Sequence, residues 1–342
     1  MKPVLVTIDT EGHIGADPIQ HLILGETESG RYGIEYIMDA FDKVNAKILF
    51  FVDFAEAWDY GRDKIEEVVR MILNRGHNVG VHIHPDHMAD RNRVFLWEYT
   101  REEQYDLIKR CTDLYTEIVG HPPKSFRAGK YGANRDTLDI LCELGYRYDF
   151  SEFYHQTWCG IQPPITVNAA CRYKTLTEFP VTMHKSISIG CLAREDKLDI
   201  EQMTSGELRY DLGQIVGAPF PMVATLFFHS FSLLKWRECP DAPVRNDKNI
   251  QKMEKAITAV SENDDLYYIC EDDLGEIPTV GEAEAANSHI VWKSPFRGGI
   301  YTYIKAVSIC KLNRKARMLV AAVDITVIAA VALLIVLFVG LL

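Results

Sequence analysis

Apolar positions recur along this chain in two alternating patterns. Short apolar runs occupy residues 4–8, 48–52, 78–83, 124–127, 146–149, 176–179, 223–228 and 266–269. Between them apolar side chains return every three or four residues: Ile34, Ile37, Met38 and Phe41; then Ile65, Val68, Val69, Ile72 and Leu73; then Tyr105, Ile108, Tyr115 and Ile118; and late in the chain Ile250, Met253, Ile257 and Val260. The runs predict buried strands and the spacing predicts amphipathic helices. Asn134 is placed to cap a helix over 135–144, with Gly145 closing it. Strand and helix in strict alternation predict a parallel sheet, doubly wound or closed into a barrel. In either architecture, reactive groups collect at the carboxyl ends of the strands. Residues 151–175, rich in Tyr, Trp and Pro, are expected to form a loop or insertion.

The pattern changes at the far end. From residue 318 onward the only charge is Asp324, and residues 325–342 carry none. A bilayer core ~30 Å thick is crossed by ~20 such residues as a helix, so 318–342 is expected to be a single transmembrane helix at the C-terminus. Lys311, Arg314, Lys315 and Arg317 precede it, which by the positive-inside rule leaves the body in the cytoplasm. The first residues form a strand pattern and lack the apolar core of a signal peptide. Residues 273–317 are then expected to be an acidic linker and a basic juxtamembrane segment, following a catalytic body over 1–272.

The 342 residues carry a net charge of −11, and 47% are apolar, as in an ordinary folded globule. Residues 301–342 hold five basic groups against Asp324, so the body through residue 300 is at −15. An acidic body is a poor partner for a phosphate backbone, and nucleic acid is excluded as a target. Eight cysteines are scattered with no C-x-x-C pair, which fits free thiols in a reducing compartment rather than a zinc knuckle or a disulfide framework.

Candidate chemistry follows four of the predicted strands. Asp9-Thr10-Glu11 ends the first, His82-Ile83-His84-Pro85-Asp86-His87 the third, Arg127-Ala128-Gly129-Lys130-Tyr131-Gly132 the fourth, and His229-Ser230 the strand over 223–228. Residues two apart on a strand share a face, so His82 and His84 point together, and His87 can return from the loop beyond Pro85. With Asp9 or Glu11 this makes two imidazoles and a carboxylate, a donor set suited to Zn²⁺ or a similar divalent ion.

These ordered motifs resemble those of the polysaccharide deacetylases with the NodB homology fold, carbohydrate esterase family 4, over residues 3–272. The resemblance implies an α/β fold with a distorted, seven-stranded (β/α) barrel of TIM-like type. It implies Asp9 as catalytic base, Arg127 as the residue that steadies it, and His229 as general acid. Tyr131 and Gly132 would border the substrate groove. Glu11 and His82 would hold a divalent metal, with His84 or His87 as the further ligand. Two positions depart from the family pattern: Thr10 stands where a second Asp is usual, and Asp86 stands four residues after His82 where a second His is usual.

The expected activity is therefore hydrolysis of an N-acyl group, acetyl or formyl, from an amino sugar by metal-assisted attack of water. A membrane-anchored body on the cytoplasmic face points to a membrane-linked glycan intermediate as substrate. Trp58, Trp97 and Tyr131 are candidates to stack on sugar rings. Two other readings share these residues: hydrolysis of a small cyclic amide or ureide on the same scaffold, and a non-catalytic, membrane-tethered carbohydrate-binding protein.

Overall fold

A computed structural model describes residues 1–309 except Cys191, together with Thr326, Ala329 and Leu333. The strands of the main sheet are β1 (Lys2–Thr10), β2 (Ile48–Asp53), β3 (Asn78–Ile83), β4 (Ser125–Ala128), β5 (Tyr148–Asp149), β6 (Cys171–Tyr173) and β7 (Leu176–Glu178). A hairpin of β8 (Met183–Ile189) and β9 (Leu192–Lys197) interrupts it before β10 (Ala224–His229) and β11 (Leu266–Ile269). The sheet runs β10-β1-β2-β3-β4-β5-β7-β6, with β11 also paired to β1. Every pair is parallel except β6 with β7.

The main helices are α1 (Ile34–Asp42), α2 (Arg62–Asn74), α3 (Arg101–Val119), α4 (Arg135–Glu143), α5 (Ser205–Val216) and α6 (Asp247–Ser261). Their limits follow from local chemistry. Thr100 accepts from the Glu103 N–H while Glu103 accepts from the Thr100 N–H, which closes a capping box on α3. Asn134 caps α4 through the Thr137 N–H at 2.9 Å, as its position in the sequence predicts.

Alternation along the strands sorts two cores. Val4, Val6 and Ile8 of β1 pack with Phe50, Val52, Val79, Val81 and the helices. Leu5 instead meets Leu49, Phe51, Phe150 and Phe179 inside the curl of the sheet. Thr7 and Asp9 share the inner face with Leu5, so β1 becomes polar on that face toward its carboxyl end.

The expected distorted, seven-stranded (β/α) barrel is corrected to a curled half-barrel of nine strands. No strand joins β10 to β7 among the described residues. Irregular chain spans the gap: the Thr182 N–H donates to Thr225 Oγ1 at 3.2 Å, and the Thr225 N–H donates to Thr182 Oγ1 at 2.9 Å. Farther up, Ile200 donates to the Phe227 carbonyl and Phe227 to that of Leu198. Threonine hydroxyls and single backbone bonds thus satisfy an edge that a strand would otherwise cover.

The stretch read as a linker from residue 273 is packed onto the body. Val280 donates to the Ala170 carbonyl, Ser288 Oγ accepts from the N–H groups of Asn168 and Ala169, and residues Ile290–Val291 pair with β8. Trp292 stacks on His184 with ring centroids 5.0 Å apart. The following helix, α7 (Pro295–Ile309), crosses β8 so closely that a Cβ on Gly298 would lie 2.0 Å from the Ser186 carbonyl oxygen. Isolated apolar anchors, Ala285, Ile290 and Trp292, hold an otherwise acidic segment in place. The basic cluster 311–317 and, apart from Thr326, Ala329 and Leu333, the span expected over 318–342 lie outside the described residues. Among the described residues no helix is long and apolar enough to cross a membrane.

Trp292 is buried to within 2% of its surface. Trp292→Ala should therefore lower unfolding stability by about 3–5 kcal/mol, the usual cost of removing a buried large aromatic. Denaturant titration of the full chain checks this; a loss below ~0.5 kcal/mol, the range of surface changes, would return the segment to the status of a linker.

Candidate active site

Six of the expected residues, Asp9, Glu11, His82, His84, Arg127 and His229, converge at the carboxyl ends of β1, β3, β4 and β10. Arg127, at 2% exposure, lies with its guanidinium 4.2 Å above the Phe51 ring. Its Nη1 donates to Asp9 Oδ1 at 2.7 Å and its Nη2 to Thr7 Oγ1 at 3.1 Å. Phe51 finds room because Gly80 faces it from β3: a Cβ there would come 2.8 Å from the ring.

The backbone of Arg127 acts on the neighbouring strand. Its carbonyl lies 2.8 Å from His82 Nδ1. A carbonyl only accepts, so His82 carries a proton on Nδ1 and presents Nε2 to the interior. That Nε2 is 3.4 Å from Glu11 Oε2 and 3.9 Å from Asp9 Oδ2, and it has no hydrogen-bond partner among the described residues. His84 Nε2 approaches the same Glu11 oxygen at 2.7 Å. Burial alone would raise the Glu11 carboxyl; the charge and hydrogen bond of His84, with the other facing imidazoles behind, outweigh it and hold Glu11 well below the usual range. Burial opposes the charge on His84, yet Glu11 lifts it to about 9.

Thr10 contributes no ligand to this cluster. Its hydroxyl turns to the Ile8 carbonyl of its own strand at 3.4 Å, and Glu11 supplies the carboxylate instead. Glu11, His82 and His84 form one group of donors within 4.8 Å of one another. His87 belongs to another, with Asp53 and Glu56, and Asp86 is in neither. The first group suits a divalent ion: one hard oxygen, two imidazole nitrogens, and a buried Nε2 whose lone pair faces carboxylates.

On the opposite side, His229 Nδ1 pairs with Glu201 Oε1 at 2.8 Å, and Ser232 Oγ donates to the same oxygen at 2.7 Å. The His229 ring stacks on Phe231, tilted by 12°, and its Nε2 points toward Glu11 Oε1 at 4.0 Å. Burial disfavours the imidazolium, but the Glu201 hydrogen bond and charge, with Glu11 and Asp9 behind, push His229 up to about 9. Glu201 in turn, despite burial, is held at about 2 by His229.

The loop after β4 forms the wall. Gly129 passes directly over His84: a Cβ would lie 2.6 Å from the Ile83 carbonyl oxygen and 2.8 Å from the imidazole. Lys130 and Tyr131 then take φ of 51° and 57°, a left-handed pair that costs non-glycine residues about 1–3 kcal/mol each. The Gly132 N–H is taken by the Gly129 carbonyl at 2.9 Å, and its Cα backs onto Phe95. Tyr131 faces a cavity of about 480 Å³ bordered also by Phe95, Phe153, Trp158, Lys197 and Gln202. Trp97 supports this wall from behind, stacked on Phe95 and donating Nε1 to the Trp158 carbonyl at 2.9 Å. Trp58 lies elsewhere, beside Arg62 and Arg110.

Three of the functional side chains were not singled out from the sequence, and two of them have no motif to announce them. Glu201 and Lys197 sit in Lys197-Leu198-Asp199-Ile200-Glu201, whose alternating charge resembles any solvated edge. Asp53 does carry a signal, since it is the polar residue closing the apolar run 48–52, as Asp9 closes the first.

The polysaccharide deacetylase family model matches residues 30–148. Over those residues the chain is similar to a polysaccharide deacetylase domain. The deacetylase match includes His82 and Arg127, whereas Asp9, Glu11 and His229 join them only through the fold. The domain marks the protein as a hydrolase of carbon–nitrogen bonds. Among the solved structures that share the fold are two with the following likeness. One, assigned to the polysaccharide deacetylases of Mycobacterium smegmatis, is 17% identical, with 80% of this chain and 88% of that one covered at a TM-score of 0.53. The other, likewise assigned and from Pseudomonas aeruginosa PAO1, is 14% identical, with 80% and 89% covered at a TM-score of 0.51. No curated protein sequence matches the chain.

A histidine held near 9 keeps its proton through neutral pH and loses it as pH rises through that value. Its pairing with Glu201 therefore adds stability that is complete below the ordinary ~6.5 and gone above about 9. Glu201→Gln removes the charge that holds the proton, so the His229 titration, followed by NMR, should move toward ~6.5. The alkaline limb of any activity should move down with it. An unshifted titration would detach Glu201 from this role.

Proposed function

We propose that this deacetylase-domain protein removes an N-acyl group, acetyl or formyl, from an amino sugar. The observation that carries the reading is the placement of Asp9 and His229 on either side of Glu11, His82 and His84. Amide hydrolysis needs a base for the attacking water, positive charge where the carbonyl oxygen becomes negative, and an acid for the departing amine.

Asp9 is the base. Arg127 occupies Oδ1 and leaves Oδ2 turned toward His82 Nε2 and the centre of the site, where it can take the proton of a water. Glu11, His82 and His84 are the ligands for a divalent ion of the zinc class; when bound, such an ion polarises the acyl carbonyl and makes water more acidic. Cation binding competes with the proton that Glu11 holds on His84, so affinity should rise with pH. His229, protonated at neutral pH and aimed inward by Glu201, delivers the proton to the amine. Arg127 orients Asp9 rather than touching substrate. Tyr131, Phe153 and Trp158 offer apolar faces to a sugar ring, and Lys197 and Gln202 offer donors to its hydroxyls.

The substrate we infer is a sugar carried on a membrane lipid. Support comes from the charge-free stretch over 325–342 and the basic residues before it, which would hold the acidic body at the cytoplasmic face. The helix α7, which ends at Ile309, packs on the body around Gly298, so a truncation that preserves the fold has to begin beyond it.

Asp9→Asn should leave the fold intact and reduce acetate or formate release from amino-sugar substrates by ~10²–10⁴. Unchanged turnover would remove Asp9 from the chemistry. The full chain should fractionate with membranes and a chain ending at residue 309 should not. Recovery of the full chain in the soluble fraction would discard the lipid-borne substrate while leaving the deacylase assignment in place.

A further inference from the structure

A second set of donors stands behind the first and the mechanism does not use it. Asp53 at the end of β2 and Glu56 in the turn beyond it are fully buried. Asp53 Oδ1 accepts from the N–H groups of Ala55 at 3.0 Å and His84 at 3.3 Å, and Glu56 Oε1 accepts from the Gly12 N–H at 2.5 Å. The remaining oxygens, Asp53 Oδ2 and Glu56 Oε2, are buried without a hydrogen-bond partner among the described residues. Leaving such a group unpaired is costly, and leaving two side by side is more so.

His87 faces both carboxylates. Its Nε2 is 4.0 Å from Asp53 Oδ2 and 4.0 Å from Glu56 Oε1. Its Nδ1 is 2.5 Å from Asp59 Oδ2, and Arg91 clamps Asp59 from outside with bonds of 2.7 and 2.5 Å. An ionised carboxylate only accepts, so the Nδ1 proton is fixed on the Asp59 side and Nε2 is turned to the Asp53 and Glu56 carboxylates. A carboxylate that orients an imidazole in this way is the usual outer support of a metal-binding histidine. Ligand atoms bonded at ~2.0–2.2 Å to one ion stand at most ~4.4 Å apart, twice that bond length. His87 Nε2, 4.0 Å from an oxygen of each carboxylate, meets that limit without rearrangement of the backbone.

We propose that Asp53, Glu56 and His87 form a second divalent-cation site, of the zinc or manganese class, sharing no ligand with Glu11, His82 and His84. Burial, and for Glu56 also the neighbouring Asp53 charge, pushes both carboxyls up when no cation lies between them. A cation removes that cost. Each carboxylate then bridges: one oxygen binds the ion, while the other binds backbone beside a residue of the first site, Gly12 next to Glu11 or His84 itself. The second ion thereby fixes the spacing between the ends of β1 and β3.

The test is metal content of the purified full chain after loading with Zn²⁺ or Mn²⁺ alone and dialysis. Wild type should retain about two ions per chain, and His87→Ala, His87→Gln and the double variant Asp53→Asn/Glu56→Gln about one each. Glu11→Gln/His82→Ala should also retain about one, and it is this ion that the His87 changes remove. Circular dichroism and thermal melting establish that each variant is folded, with His87→Gln as the variant of smallest volume change. A wild-type content of one that the His87 variants leave untouched, or no retained ion, overturns the proposal. A single ion lost on changing His87 but kept in Glu11→Gln/His82→Ala upholds this site and sinks the metal role of the first.

Discussion

The ion pair between Arg127 and Asp9 sets the curvature on which the rest of the structure depends. Its two partners stand on β4 and β1, with β2 and β3 between them. In a flat sheet, three strand spacings of ~4.8 Å would hold those backbones ~14 Å apart. The charged groups nonetheless meet at 2.7 Å, which a long arginine reaching across the concave face of a curled sheet allows. The pair is almost fully buried, so its desolvation has to be offset locally. The Thr7 hydroxyl and the aromatic face of Phe51 do this, and Gly80 is the vacant volume that lets Phe51 lie there.

One guanidinium cannot balance the acids that the same curl collects. Asp9, Glu11, Asp53 and Glu56 lie on the rim beside the histidines, and Asp149, Glu152 and Glu178, buried as completely, lie on and after β5 and β7. No imidazole faces these three among the described residues. Ser151 donates to Asp149 and the Glu152 N–H donates to Glu178, while burial pushes all three carboxyls upward. The rim acids instead face imidazoles: His82 and His84 toward Glu11, and His87 toward Asp53 and Glu56. The contrast separates a part of the interior that can remain neutral from a part that calls for positive charge.

The strand ends were legible because each breaks an apolar run with a polar residue, a signal that needs no knowledge of tertiary structure. Asp9, His82, Arg127 and His229 all stand at such breaks, and their meeting follows from parallel order alone. Which histidine joins Glu11 was not legible, since spacing permits both His84 and His87, and only the 3-10 turn at Pro85–His87 carries the latter toward Asp53. The hairpin of β8 and β9 escaped for a different reason. Met183-His184-Lys185-Ser186 and Arg194-Glu195-Asp196-Lys197 contain no apolar run, because the hairpin lies outside the curl with part of its surface in solvent. The closed barrel failed on long-range grounds: hydroxyls of Thr182 and Thr225 replace a strand pair, and threonine content does not reveal what it bonds.

That hairpin and the residues after it carry Lys197 and Gln202 into the cavity wall, and Glu201 onto His229. Substrate fit and proton affinity are therefore inherited from one peptide segment, outside the ladder of parallel strands. A descendant that remodels this segment to admit a different sugar would shift its working pH in the same stroke, while the sheet, the base and the arginine that holds it stayed as they were.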